Sequence, residues 1–154
     1  MSTIEIIDYQ PELQPHFERI NKAWVEQYFS LESFDIAQLE HPEENILHKG
    51  GHIIFAKENN HVLGTVAIIP SSEPYTFEMI KMGVAKEGQG RGVGLQLGKA
   101  ILDKAKSLGA QKVILYSSSK LVPALQLYKK LGFQELDMGC SQYGRCNVKM
   151  GINL

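Results

Sequence analysis

Lys86-Glu87-Gly88-Gln89-Gly90-Arg91-Gly92-Val93-Gly94 decides how this chain is read. Four alternating glycines stand between an apolar, strand-like run (Tyr75 to Val84) and a run with helical spacing (Val93, Leu97, Ile101, Ala105, Leu108). Glycine lets a backbone approach a ligand closely, and the start of a helix presents unpaired N–H groups with a partial positive charge. Together these make an anion site suited to a pyrophosphate. The competing reading is a plain flexible turn, which would carry the entropic cost of four glycines with no packing return. Two nucleotide signatures fail on this run. In a G-x-G-x-x-G register the sixth place falls on Val93, Leu95 or Leu97. In the P-loop register Gly98-Lys99 has Val93 where the first glycine belongs and Ala100 where Ser or Thr belongs.

Working outward, Gly109 ends the helix, Lys112 to Ser117 reads as a strand, and Leu121 to Leu131 as a second helix closed by Gly132. Phe133 to Leu136 and Tyr143 to Met150 read as two final strands. Upstream, His52 to Lys57 and Val62 to Ile69 flank the turn Glu58-Asn59-Asn60 and make a hairpin. Thr3 to Ile7 is a short β-branched run. Leu13, Phe17, Ile20, Trp24 and Tyr28 then mark the apolar face of a helix that starts near Pro11 and Pro15, with the stripe read as core. Ser33 to Leu47 is acidic and holds one or two short helices broken near His41-Pro42. The resulting order fits an α+β protein, with Tyr75 to Ser117 forming a right-handed parallel crossover.

The 154 residues carry 44% hydrophobic and 21% charged side chains, as an ordinary globular domain does, which excludes disordered and collagen-like classes. There is no internal repeat or linker-like tract, so residues 1–154 are expected to form one domain. Lys+Arg 16 against Asp+Glu 17 gives a formal charge of -1, with no basic excess to condense on nucleic acid. Cys140 and Cys146, with five residues between them, fit neither a disulfide framework nor a metal or redox pair. His48 and His52 are separated by Gly50-Gly51, which breaks the helix a metal pair needs, so no metal site is expected. No leader or apolar run of membrane length is present, so a cytoplasmic protein with no membrane partner is expected.

Gln89-Gly90-Arg91-Gly92-Val93-Gly94 resembles the Gln/Arg-x-x-Gly-x-Gly/Ala signature of the GNAT superfamily of N-acetyltransferases. Pro123-Ala124-Leu125-Gln126-Leu127-Tyr128-Lys129-Lys130-Leu131-Gly132-Phe133 is similar to that family's Ala-x-x-Leu-Tyr-x-x-x-Gly-Phe element. The resemblance covers essentially the whole chain. It implies a mixed, mostly antiparallel sheet of six to seven strands flanked by helices. It also implies a loop that binds the pyrophosphate of acetyl-CoA as cosubstrate, and transfer of an acetyl group to a primary amine of a small molecule or peptide. The alternative is a coenzyme A-binding sensor or interaction module without turnover. Many relatives are dimers, and a homodimer stays open. Many also carry an Asn shortly before the second motif. Here Ser117, Ser118 and Ser119 occupy that region, and Ser117 and Ser119 are the expected contacts to the donor.

Forming an amide from a thioester requires a deprotonated amine, oxyanion donors and a proton for the leaving sulfur. An alkylamine with a pKa of about 10.4 is protonated at neutral pH, so a base is required. Glu78 stands where histone-modifying branches of the family carry their glutamate, and regular alternation puts it on one strand face with Ile80 and Met82. Its other reading is an exposed strand carboxylate. The resemblance makes Tyr128 the proton donor to the sulfur; its other reading is packing with Val122, Leu125 and Leu131. Main-chain N–H groups of Lys81, Met82, Gly83 and Val84 are expected to polarise the thioester carbonyl, freed by an irregularity at Gly83. Such a donor is worth on the order of 10²–10³ in rate. The amine is expected between the first helices and the final hairpin, near Tyr28, Phe29, Glu32 and Tyr143. Glu32, Glu40, Glu43 and Glu44 lean toward a cationic acceptor or are simply a solvated helix face.

Overall fold

Strand-forming and helix-forming runs alternate along the chain as the hydrophobic period does, and the computed structural model describes them for residues 3–137 and 147–154. Tyr143, Cys140 and Cys146 lie outside the described residues, as does the side chain of Tyr28. The strands are β1 (Ile4–Asp8), β2 (His52–Glu58), β3 (His61–Pro70), β4 (Thr76–Val84), β5 (Lys112–Ser117), β6 (Gln134–Leu136) and β7 (Val148–Asn153). The helices are α1 (Gln14–Tyr28), α2 (Ser33–Glu40), α3 (Pro42–Asn45), α4 (Val93–Ser107) and α5 (Val122–Leu131). The sheet order is β1-β2-β3-β4-β5-β7-β6, with every neighbour antiparallel except the β4–β5 pair. The expected α+β sheet is present, with seven strands among the described residues. No helix among the described residues is long and apolar enough to cross a membrane.

Alternation along the strands sends side chains to two cores. On one face Leu97, Ile101 and Ala105 of α4 pack against Ile54, Val66, Ile68, Val113 and Leu115. On the other, Phe17 and Ile20 of α1 and Leu39 of α2 pack against Ile53, Phe55, Ala67 and Ile80. The last strand runs past Met150, where it was expected to stop. Gly151, Ile152 and Asn153 pair with Ile114, Val113 and Lys112. Gly151 lies where Leu136 of β6 crosses: a Cβ there would sit 2.7 Å from Leu136 Cδ1.

Candidate active site in the opening between β4 and β5

Residues Phe77 to Ile80 of β4 pair in register with Pro70 to Ala67 of β3, and pairing resumes at Gly83 and Val84 opposite Thr65 and Gly64. Between these stretches Val66 faces both Lys81 and Met82, a β-bulge. The irregularity lies two residues before the expected Gly83. Lys81 has φ of 55°, in the left-handed region that non-glycine residues rarely adopt. The extra residue resets the alternation. Ile80 packs in the α1/α2 core, whereas Met82 and Val84 pack against the α4/α5 core. Met82 therefore does not share a face with Glu78 and Ile80, because the bulge places Lys81 there instead. On its other side β4 pairs with β5 only from Thr76 to Glu78, opposite Lys112 to Ile114. Beyond Glu78 the two parallel strands part, leaving β4 peptide groups without ladder partners on that side.

The opening is lined by residues of both strands together with Trp24, Phe29, Leu121 and Tyr128. Glu78 and Tyr128, 50 positions apart in sequence, both line it. Glu78 is only 8% exposed, which rules out the exposed-carboxylate reading, and its Oε2 accepts no hydrogen bond. Burial pushes its carboxyl up to about 7, while the Lys81 ammonium pulls the other way. A buried carboxyl that titrates near neutrality is suited to move protons at physiological pH. Tyr128 both packs and lines the opening. It belongs to the α4/α5 core, with its ring edge-on to Phe133 at 6.1 Å, and burial raises its phenol to about 12.

The glycine-rich loop folds as one 3-10 turn, Lys86–Gly88, followed by Gly90 and Gly92, each with φ of 76°. A Cβ on either glycine would meet nothing within 4 Å, so the dihedral demands glycine there and the backbone stands open to a ligand. Gly92 caps α4: the Gln96 N–H bonds the Gly92 carbonyl at 3.1 Å, and the first-turn amides of Val93, Gly94 and Leu95 precede that bond. The Val93 side chain is buried, so Val93 can offer a ligand only its amide. Gly94 is glycine for a different reason. A Cβ there would lie 2.9 Å from Leu127 Cδ2, at the contact of α4 with α5. Gln89 Nε2 donates to the Val84 carbonyl at 3.3 Å and ties the loop to β4. The Arg91 guanidinium donates twice to Glu58, at 3.1 Å to Oε1, and so ties the loop to the β2–β3 hairpin.

The acetyltransferase (GNAT) family model matches residues 15–133, a span that includes the loop, Glu78 and Tyr128. The chain belongs to that family. It is 34% identical over 100 residues to a mycothiol acetyltransferase of Pseudarthrobacter chlorophenolicus, covering 62% of this chain and 31% of that one. An uncharacterized N-acetyltransferase of Schizosaccharomyces pombe is 33% identical over 82 residues, 53% of this chain and 50% of that protein. The chain thus spans a third to a half of the length of these curated relatives. Among solved structures, a GNAT-family acetyltransferase of Staphylococcus aureus Mu50 superposes with a TM-score of 0.87 at 21% identity, over 98% of this chain and 99% of that one. A putative acetyltransferase of Salmonella typhimurium, solved with its cofactor acetyl-CoA, superposes with a TM-score of 0.77 at 18% identity, over 97% and 93%.

Other expected residues of this GNAT site fall in different places. Ser117 is buried and lines the opening. Its neighbour Ser118 lines it too, whereas Ser119 does not. The Ser119 amide donates to Asn147 Oδ1 at 2.9 Å and its hydroxyl accepts from Asn147 Nδ2 at 3.0 Å. Phe29 lines the opening, but Glu32 is engaged as the N-cap of α2, in a capping box with Asp35. Glu40 pairs with Lys22 at 3.0 Å and Glu43 accepts from the Tyr9 hydroxyl at 3.3 Å, so with Glu32 three of the four acids are engaged within the fold. Trp24, expected in the core, is half-buried and walls the opening. Gly83 makes room for it: a Cβ there would lie 3.1 Å from Trp24 Cδ1 and 2.9 Å from Ile20 Cγ2. Sequence reasoning also missed the Lys81 side chain and Asp35, which form a buried ion pair at 2.5 Å. The one signal for Asp35 was its spacing of three from Glu32, as in a capping box.

Proposed function

We propose that this chain transfers an acetyl group from acetyl-CoA to a primary amine of a small molecule or peptide, by direct attack with both substrates bound. The observation that carries this reading is Glu78, a buried carboxyl with an unsatisfied oxygen on the wall where β4 and β5 part. The open backbone at Gly90 and Gly92 and the first-turn amides of α4 are suited to the donor's pyrophosphate. The β4 amides beyond Glu78 are suited to the thioester carbonyl, whose oxygen gains charge as the amine adds. Glu78 takes a proton from the ammonium through a water molecule. The nitrogen then bonds to the carbonyl carbon, the carbon–sulfur bond breaks as the Tyr128 hydroxyl protonates the leaving sulfur, and the phenolate takes back a proton from the nitrogen of the forming amide.

The direct test is a thermal-shift titration with acetyl-CoA, coenzyme A and NADH, followed by an amine screen that reads thiol release. A ligand at about 100 times its Kd stabilises by about 2.7 kcal/mol, several degrees for a chain of this size. The expected result is a shift with both coenzyme A species, none with NADH, and acetyl-CoA-dependent thiol release with at least one amine class. No shift at millimolar acetyl-CoA removes the donor site and the proposal with it; a shift without turnover of any amine favours the binding-module alternative. Tyr128→Phe is expected to lower kcat by about 10²-fold with donor affinity kept, because the ring still packs while the acid is gone. An unchanged kcat rejects Tyr128 as the acid.

A further inference from the structure

We infer that Asp35 is a positioning residue for this site: by holding the Lys81 ammonium, it keeps the Glu78 carboxylate out of an ion pair and able to accept a proton. The inference rests on Glu78 being the base. Because Lys81 takes a left-handed φ in mid-strand, Ile80 and Lys81 both turn toward α1 and α2, the face that also carries Glu78. Among the described residues lining the opening, Glu78 and Lys81 are the only ones with a formal charge, and Tyr116 and Tyr128 are the other titratable groups. A buried ammonium and carboxylate on one wall would ordinarily pair with each other, since each lowers the other's cost of burial. Here Lys81 Nζ instead donates to Asp35 Oδ1 at 2.5 Å, with the two side chains 4% and 0% exposed. The other Asp35 oxygen accepts the Glu32 N–H at 3.2 Å, which fixes the carboxylate in the first turn of α2. Phe34 adds its ring 6.0 Å from the ammonium. From α1 the opening receives Trp24, which carries no charge, and from α5 Tyr128. No second carboxylate among the described lining residues could take the role of Asp35. The structure thus shows Lys81 committed to Asp35 while Glu78 Oε2 stays unsatisfied.

The test follows the Glu78 carboxyl directly and needs no acceptor. Protein carrying 13C-labelled glutamate is titrated by NMR, with the Glu78 signal assigned by its loss in Glu78→Gln. In the native protein the midpoint is expected near 7. In Asp35→Asn the Lys81 ammonium turns to Glu78, and the midpoint falls by about one to three pH units. In the double variant Asp35→Asn/Lys81→Met, with both charges gone, the midpoint returns to the native value or rises above it. An unchanged midpoint in Asp35→Asn overturns the inference, as does a lowered midpoint that the double variant fails to restore. Should Asp35→Asn not fold, Asp35→Ser, whose hydroxyl can still accept the Glu32 N–H, is titrated in its place: a lowered midpoint supports the inference and an unchanged one overturns it. Glu78→Gln in the amine screen separates the two levels. Native turnover there sinks Glu78 as base, whereas lost turnover with an unshifted Asp35→Asn titration sinks only the role of Asp35.

Discussion

Glu78→Gln is expected to cost about 10²–10⁴-fold in kcat and, at the same time, to make the protein more stable at alkaline pH. The rate falls because glutamine cannot take a proton from the ammonium. Stability rises because the native carboxyl is buried and its pKa in the folded state lies above its unfolded value. The folded protein therefore holds a proton that the unfolded chain releases between the ordinary 4.5 and about 7. Native stability declines as pH climbs through that window, and glutamine, neutral throughout, escapes the decline. At about 1.4 kcal/mol per pH unit the window sets an upper bound of about 3 kcal/mol. Urea denaturation at about pH 5 and about pH 8 reads the sign directly: the gap in favour of Glu78→Gln should widen toward the higher pH. A gap independent of pH, together with native turnover, would make Glu78 an ordinary strand residue. With Glu78 as the proposed base, the same titration in the native protein is expected to make the rate rise with pH through about 7, as the carboxyl ionises.

Much of this fold was legible because its signals are local. The three- and four-residue spacing of Phe17 and Ile20 gave α1, and the turn at Glu58-Asn59-Asn60 gave the hairpin of β2 and β3. The alternating glycines before Val93 gave the open loop and the capped start of α4. What stayed hidden depends on contacts between distant segments. Strict alternation puts residues 78, 80 and 82 together, and nothing in Met79-Ile80-Lys81-Met82 announces that one residue is inserted against Val66. Trp24 continues the apolar stripe of α1, yet β4 and β5 part beneath it, so a residue with core spacing becomes a wall of the site. Asp35 read as one more acid in an acidic segment. It is fully buried because Lys81, from a strand far along the chain, reaches it. Among three successive serines the sequence reading took Ser119 and passed over Ser118, because nothing local shows that Asn147, from far along the chain, engages the hydroxyl of Ser119.

Gly92→Asp is expected to lose acetyl-CoA binding by at least about 10²–10³-fold while leaving the fold largely intact, because dihedral and open space are separate demands at that position. The added side chain meets no atom within 4 Å. Its φ of 76° suits aspartate better than most residues, and holding a non-glycine residue there costs about 1–2 kcal/mol. Aspartate is also among the better helix caps, which offsets part of that cost. A carboxylate at this point, however, occupies the first-turn amides of α4 and sets a negative charge where a pyrophosphate must lie. Like charges brought together cost several kcal/mol, and each 1.4 kcal/mol is about tenfold in Kd. Gly94→Ala, two residues on, should keep donor binding. Its methyl would lie 2.9 Å from the terminal Cδ2 of Leu127, which can turn aside, and the gain in helix propensity offsets the crowding, so stability changes by less than about 1 kcal/mol and the folded protein still binds the donor. Calorimetric titration with acetyl-CoA beside thermal melts separates the pair. Native affinity in Gly92→Asp would move the pyrophosphate site away from this loop, since no other consequence of that substitution reaches the ligand. Lost affinity in a well-folded Gly94→Ala would mean that the α4–α5 contact, rather than open backbone alone, shapes the cradle.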